Sequence, residues 1–260
     1  QGLVENVQIL SSNLVQNGSF SEEGVQEVSN GSFSQEGVQL ITNGDFSSDT
    51  NWVKQAGWSI SGGTANCDGS QNLPESVYQN GVTVVGKTYK ITYTLVSITS
   101  GTVRALAGTL GGAFQSTIGT HTEYLTATSN TVIQIQASSS FIGSIDNVSV
   151  REVGQDWVIF GTGWSFGEDK IVSVNGSNYG VHQSAIVSGK TYKITYEVKD
   201  YVSGSFSIRA NTVSGSVTAS ANGTYTDYIT SNGTLLRLMG NGTFNGSVTN
   251  ISVKEVGQNW

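Results

Sequence analysis

Charge is scarce in this 260-residue sequence: Asp, Glu, Lys and Arg together make up 12% of it, about half the usual share. The balance is acidic, with 12 Lys and Arg against 19 Asp and Glu. A phosphate backbone is repelled by such a chain, which argues against nucleic-acid binding. Cys67 is the single cysteine, so an intrachain disulfide and a cysteine zinc site are both excluded. Two histidines, His121 and His182, are too few for a histidine-rich metal centre. No run approaches the roughly 20 apolar residues of a membrane-spanning helix, and no signal-peptide pattern is visible. Neither G-x-S-x-G nor H-E-x-x-H occurs. No facing pair of carboxylates suggests itself for hydrolysis. A non-enzymatic protein is expected.

Ser, Thr, Asn, Gln and Gly fill the space that charge leaves, and Val, Ile, Thr and Tyr alternate with them. That composition predicts strands and turns. Two repeats organise it. Residues 86–93 read GKTYKITY, and residues 189–196 read the same. The same shift of 103 carries GSIDNVSVREVGQDW (143–157) onto GSVTNISVKEVGQNW (246–260). A period of that length is a whole domain. A shorter repeat precedes it: Asn17-Gly18-Ser19-Phe20, Asn30-Gly31-Ser32-Phe33 and Asn43-Gly44-Asp45-Phe46 stand 13 residues apart. The expected fold is all-β, with a short strand-turn repeat stalk (1–39) followed by two tandem antiparallel β-sandwich domains (40–153 and 154–260), of jelly-roll or immunoglobulin-like type.

The strand faces can be read directly. Tyr89, Ile91, Tyr93 and Leu95 share one face, as do Tyr192, Ile194, Tyr196 and Val198 in the copy. Ile145 and Val148 stand three apart, which breaks the alternation and predicts a bulge in the closing strand. The stretch 81–88 (GVTVVGKT) fits the phosphate-loop spacing, but an alternating strand follows it where that loop needs a helix, so a turn is expected.

The order Asn-Gly-Asp-Phe (43–46), Trp52 and Trp58, Gly-Lys-Thr-Tyr (86–89) and Ile-Asp-Asn-Val-Ser-Val (145–150) resembles the jelly-roll carbohydrate-binding modules with a galactose-binding-like fold. The resemblance covers roughly residues 40–153. The second module keeps Trp157, Trp164, GKTYKITY and the closing strand, but lacks the opening Asn-Gly-Asp-Phe. Such modules behind reiterated Asn-Gly-Ser-Phe units also resemble bacteriophage fibres and other virion appendages. That resemblance implies a virion-surface or extracellular protein that contacts other virion proteins and attaches to a cell-surface polysaccharide. A secreted bacterial adhesin module and a ligand-free filament spacer are the alternatives. The resemblance to carbohydrate-binding modules also implies a structural calcium in the first module, between the opening segment and the last strand, at Asp45 and Asp146; the competing roles are turn N–H bonds for Asp45 and a place in the bulge for Asp146.

The recurring tryptophans are expected in the core. Aromatics outside the shared pattern, Tyr78, Phe114, Tyr179, Tyr201 and Tyr225, are the candidates to stack on sugar rings. The apolar residues of the leading units (Val15, Phe20, Val25; Val28, Phe33, Val38) are too few for a core within one chain, and a homotrimer through residues 1–39 would bury them. The sequence starts at Gln1 and stops at Trp260, the counterpart of Trp157. A stretch of a longer protein and a mature chain trimmed at its N-terminus are both open.

Overall fold

The structure is a computed structural model, and it describes residues 21–129, 131–176 and 180–257. The described residues form strands and turns, with no helix. The leading strand is β1 (Glu23–Gln26). Then follow β2 (Val53–Lys54), β3 (Trp58–Ser61), β4 (Thr64–Cys67), β5 (Glu75–Gln79) and β6 (Thr88–Ser100). Next come β7 (Val103–Ala107), β8 (Leu110–Gly111), β9 (Gly119–Thr126), β10 (Ile133–Ala137) and β11 (Ile142–Val153). The rest are β12 (Val158–Ile159), β13 (Trp164–Gly167), β14 (Lys170–Gly176), β15 (Val181–Ser184), β16 (Thr191–Ala210), β17 (Val213–Ser214), β18 (Gly223–Thr230) and β19 (Leu235–Val256).

The chain forms two compact units. Module A comprises Ser32–Trp157 and Ser165–Val172; module B comprises Gln1–Gly31, Val158–Trp164 and Ser173–Trp260. Module A is an antiparallel sandwich of two five-stranded sheets, ordered β2-β5-β10-β7-β8 and β3-β4-β11-β6-β9. Its core takes alternate residues from both sheets: Tyr89, Ile91, Tyr93 and Leu95 from one, Val103, Ala105, Ile133 and Ile135 from the other. All eight are at most 1% exposed, so each large apolar side chain contributes about 1.5–3 kcal/mol. Trp52 and Trp58 are buried with them, their indole N–H groups donating to Asn43 O (2.8 Å) and Glu75 O (3.1 Å). In module B the corresponding strands run on without a break. β16 and β19 each extend through both sheets, which merge into one nine-stranded sheet. Tyr192, Ile194, Tyr196 and Val198 face inward there as expected.

Both closing strands carry the expected bulge. The ladder of β11 with β6 slips between Asp146 and Ser149, where Asn147 adopts φ 52°. In β19, Asn250 adopts φ 53° beside the slip opposite Thr195 and Glu197. Asn tolerates this left-handed conformation better than most residues.

The described part of the leading segment, residues 21–39, is stitched onto the closing strands. Val148 N–H donates to Gly44 O (2.8 Å) in module A, and Ile251 N–H donates to Gly31 O (2.8 Å) in module B. Leu40 N–H donates to Val150 O (2.9 Å), and Glu27 N–H to Val253 O (2.9 Å). Buried Gln79 grips Thr42 O through its Nε2 (2.6 Å), and buried Gln183 grips Ser29 O in the same way (3.0 Å). Each pair is offset by 13 residues on one side and by 103 or 104 on the other. The Asn-Gly-Ser-Phe opening that the second module lacks beside it is thus Asn30 and Gly31, lying ahead of module A in the chain. The apolar argument for a trimer fails at the same point: Val28 and Phe33 are 6% and 3% exposed within one chain, and Phe33 packs on Trp157 (ring centroids 5.2 Å apart). Phe46 packs on Trp52 likewise (5.1 Å). Val25 and Val38 face solvent. Val15, Phe20 and the Asn17 unit lie outside the described residues.

Candidate functional site

The outer face of the β2-β5-β10-β7-β8 sheet gathers two of the five candidate aromatics. Alternation sends Val77 and Ile135 into the core and leaves Tyr78 and Gln134 facing outward. Register then lines up side chains across the strands. Val53, Tyr78, Gln134 and Leu106 form one row, and Ser76, Gln136 and Arg104 the next. Directly opposed residues of antiparallel strands stand about 4.5–5.5 Å apart, so the first row is a short strip of ring, amide and aliphatic side chain, and the second one of hydroxyl, amide and guanidinium.

Arg104 is held in place from three directions. Its Nε and Nη2 donate to Gln136 Oε1 at 3.0 and 2.9 Å. Its guanidinium lies 4.3 Å from the centroid of the Phe114 ring, a cation–π contact. Gly111 supplies the third side, where a Cβ would clash with the guanidinium. Neighbouring Gly112 similarly makes room for Glu123, which accepts from Ala113 N–H (3.1 Å). The paired glycines after β8 therefore let the loop carrying Phe114 close over the sheet. Phe114 itself remains 55% exposed, a large ring kept in solvent but fixed in orientation. Gln134 Nε2 is committed to Gly108 O (3.1 Å), which fixes that amide too. The face thus offers the half-buried Tyr78 ring and a Phe114 ring held over Arg104, beside ordered planar polar groups. Such a surface matches the flat C–H faces and hydroxyl edges of a sugar chain.

The remaining candidates do not join it. Tyr201 and Tyr225 belong to module B. Tyr201 Oη donates to Gly204 O (3.0 Å). Tyr225 stacks on buried Tyr196 (5.6 Å, 18°) and donates to Ala221 O (2.9 Å). Both serve the edge of the sandwich. Tyr179 lies outside the described residues.

No protein-family profile matches the chain, and no curated protein matches it. Among solved structures, the chain is similar to the N-terminal CBM22-1–CBM22-2 tandem domain of Xyn10C from Paenibacillus barcinonensis. The identity is 12% and the TM-score 0.35, over 85% of this chain and 98% of that one. So distant a likeness carries no argument about ligands, and the site stands on its own geometry.

Asp45 and Asp146 lie on segments that run side by side, as the Gly44–Val148 bond requires. Their oxygens are already engaged. Asp146 accepts from Asn147 N–H (2.6 Å) through Oδ1 and from Asn147 Nδ2 (3.2 Å) through Oδ2. Exposed Asp45 accepts from Ser47 N–H (3.3 Å). Among the described residues no third acid, His or Cys completes a metal-binding group with them. A calcium ion wants six to eight oxygens, so these two carboxylates alone are too few and backbone carbonyls would have to supply the rest. Cys67 is buried against Gln71, and burial pushes its thiol above the ordinary range, as suits a packing residue. The phosphate-loop spacing at 81–88 forms a turn, with Gly81 and Gly86 at φ 74° and 86°, that leads straight into β6.

Proposed function

We propose that this protein is a non-enzymatic carbohydrate-binding protein that attaches to polysaccharide outside the cell, with module A using the outer face of β2-β5-β10-β7-β8. The observation that carries the reading is the pairing of exposed Phe114 and half-buried Tyr78 with the fixed row of Gln134, Gln136 and Arg104. The residue types suit neutral sugars: rings for the C–H faces, amides for the hydroxyls. Nothing in this face calls for a nucleophile or an acid–base pair. A glycan array probed with the full chain tests the reading. Binding to at least one neutral polysaccharide is expected, reduced about tenfold or more by Tyr78→Ala and by Phe114→Ala, since stripping a stacked aromatic typically removes over 1 kcal/mol. Unchanged binding in both variants contradicts it.

A virion appendage is the finer form of this reading. It drew on a multi-chain stem built from residues 1–39, and the described part of that stretch is used within the chain itself. We therefore hold to the coarser extracellular role.

A further inference from the structure

Module B carries the equivalent sheet face with different chemistry. Val158 pairs with His182, His182 with Arg237, and Arg237 with Arg209. These positions correspond, strand by strand, to Val53, Tyr78, Gln134 and Leu106 of module A. A row of ring, amide and aliphatic side chain has become a row of imidazole and two guanidiniums. Their inward neighbours Leu236, Leu238, Ile208 and Ala210 are fully buried, so alternation directs both arginines to the outer face.

Two arginines on adjacent strands repel each other, a destabilising arrangement in a sheet. In a chain of net charge −7, acids to neutralise them are plentiful. The lysines nearby in sequence take them: Lys193 and Lys254 pair with Glu23, and Lys190 with Glu255. Arg209 and Arg237 take none among the described residues. Arg209 Nε is shielded from solvent and donates to nothing among the described residues, a cost of about 1–3 kcal/mol for a polar group left unsatisfied. His182 is half-buried beside them, with Phe160 edge-on to its ring (5.8 Å, 80°) and 49% exposed. Burial, then the charge of Arg237, hold the imidazole below its ordinary value, so near neutral pH it is an uncharged hydrogen-bonding group. The guanidinium fork matches planar oxyanions in a bidentate manner.

We infer that the outer face of module B binds an acidic saccharide, with Arg237 and Arg209 receiving its oxyanion and His182 and Phe160 contacting the sugar ring. This rests on the reading of the protein as a carbohydrate-binding one and adds a division of labour, with module A suited to neutral sugar and module B to anionic sugar. Carboxylate and sulfate esters share the chemistry that two guanidiniums recognise.

Calorimetric titration of the full chain with three probes separates the possibilities: a uronic-acid trisaccharide, its methyl ester and a sulfated neutral trisaccharide. The free acid or the sulfated sugar is expected to bind at least about tenfold more tightly than the ester, and to weaken as salt rises. Whichever of the two binds identifies the oxyanion. Arg237→Gln is expected to abolish that preference while leaving the thermal midpoint and any neutral-glycan binding dependent on Tyr78 in place. Arg237→Lys keeps charge without the fork and should recover only part of it. Neither anion binding more tightly than the ester, or an Arg237→Gln variant that keeps the preference, overturns the inference. If a neutral polysaccharide still binds through Tyr78 and Phe114 in that case, the broader reading survives; loss of saccharide binding altogether ends both.

Discussion

Tyr78 and Phe114 belong to neighbouring rows of one sheet face, and each presents its ring differently. Tyr78 lies in the ladder opposite Val53 and Gln134, whereas Phe114 hangs over Arg104 from a loop. If stacking is the main contribution of Tyr78, removing its hydroxyl alone matters little. Tyr78→Phe is expected to keep saccharide affinity within about threefold, against about tenfold or more for Tyr78→Ala, as measured by affinity electrophoresis. Sequence identified these two rings because they fall outside the repeated pattern. The same criterion selected Tyr201 and Tyr225, whose hydroxyls are consumed by the carbonyls of Gly204 and Ala221. Periodicity carries no information about such local bonds. Arg209, Arg237 and His182 escaped notice for a different reason: each lies on a different strand, well apart in the sequence, and only the register of β15, β19 and β16 brings them together. Aligning the two modules strand by strand against Tyr78, Gln134 and Leu106 is the signal that could have found them.

At the scale of strands and turns, two segments far from their modules' closing strands complete them. Gly31 and Gly44 are fixed by this contact, since a Cβ on either would overlap the carbonyl oxygen of Ile251 or Val148. Backbone cannot yield as a flexible side chain does. Gly44→Ala and Gly31→Ala are each expected to destabilise the chain by about 1–3 kcal/mol, and Gly62→Ser, in an open turn at φ 64°, by about 1 kcal/mol from the left-handed backbone alone. Chemical denaturation followed by tryptophan fluorescence measures this. Equal stability of all three variants would show that the segments are not essential to the sandwiches. The strands of GKTYKITY were legible because alternation is local. The role of residues 21–39 was not, because their partners lie more than 100 positions away (Gly44 to Val148, Gly31 to Ile251). Read alone, the short apolar pattern looked like a stem in need of other chains. What the sequence did contain was the pair of matching offsets, 13 and about 103, which the hydrogen bonds tie together.

Across the whole chain, one scaffold is used twice with its chemistry divided. The cores repeat: Tyr89, Ile91 and Tyr93 recur as Tyr192, Ile194 and Tyr196, all buried. The outer faces diverge: rings, amides and one guanidinium in module A, an imidazole and two guanidiniums in module B. The most direct test is a nuclear magnetic resonance titration of the full chain with a neutral polysaccharide fragment that it binds, following the side-chain amide signals of Gln134 and Gln136 and the Nε–H signal of Arg104. The account predicts that these three shift together and saturate with one affinity. Shifts confined to residues elsewhere, such as those around Tyr201 and Tyr225, with Gln134, Gln136 and Arg104 unmoved, would contradict it.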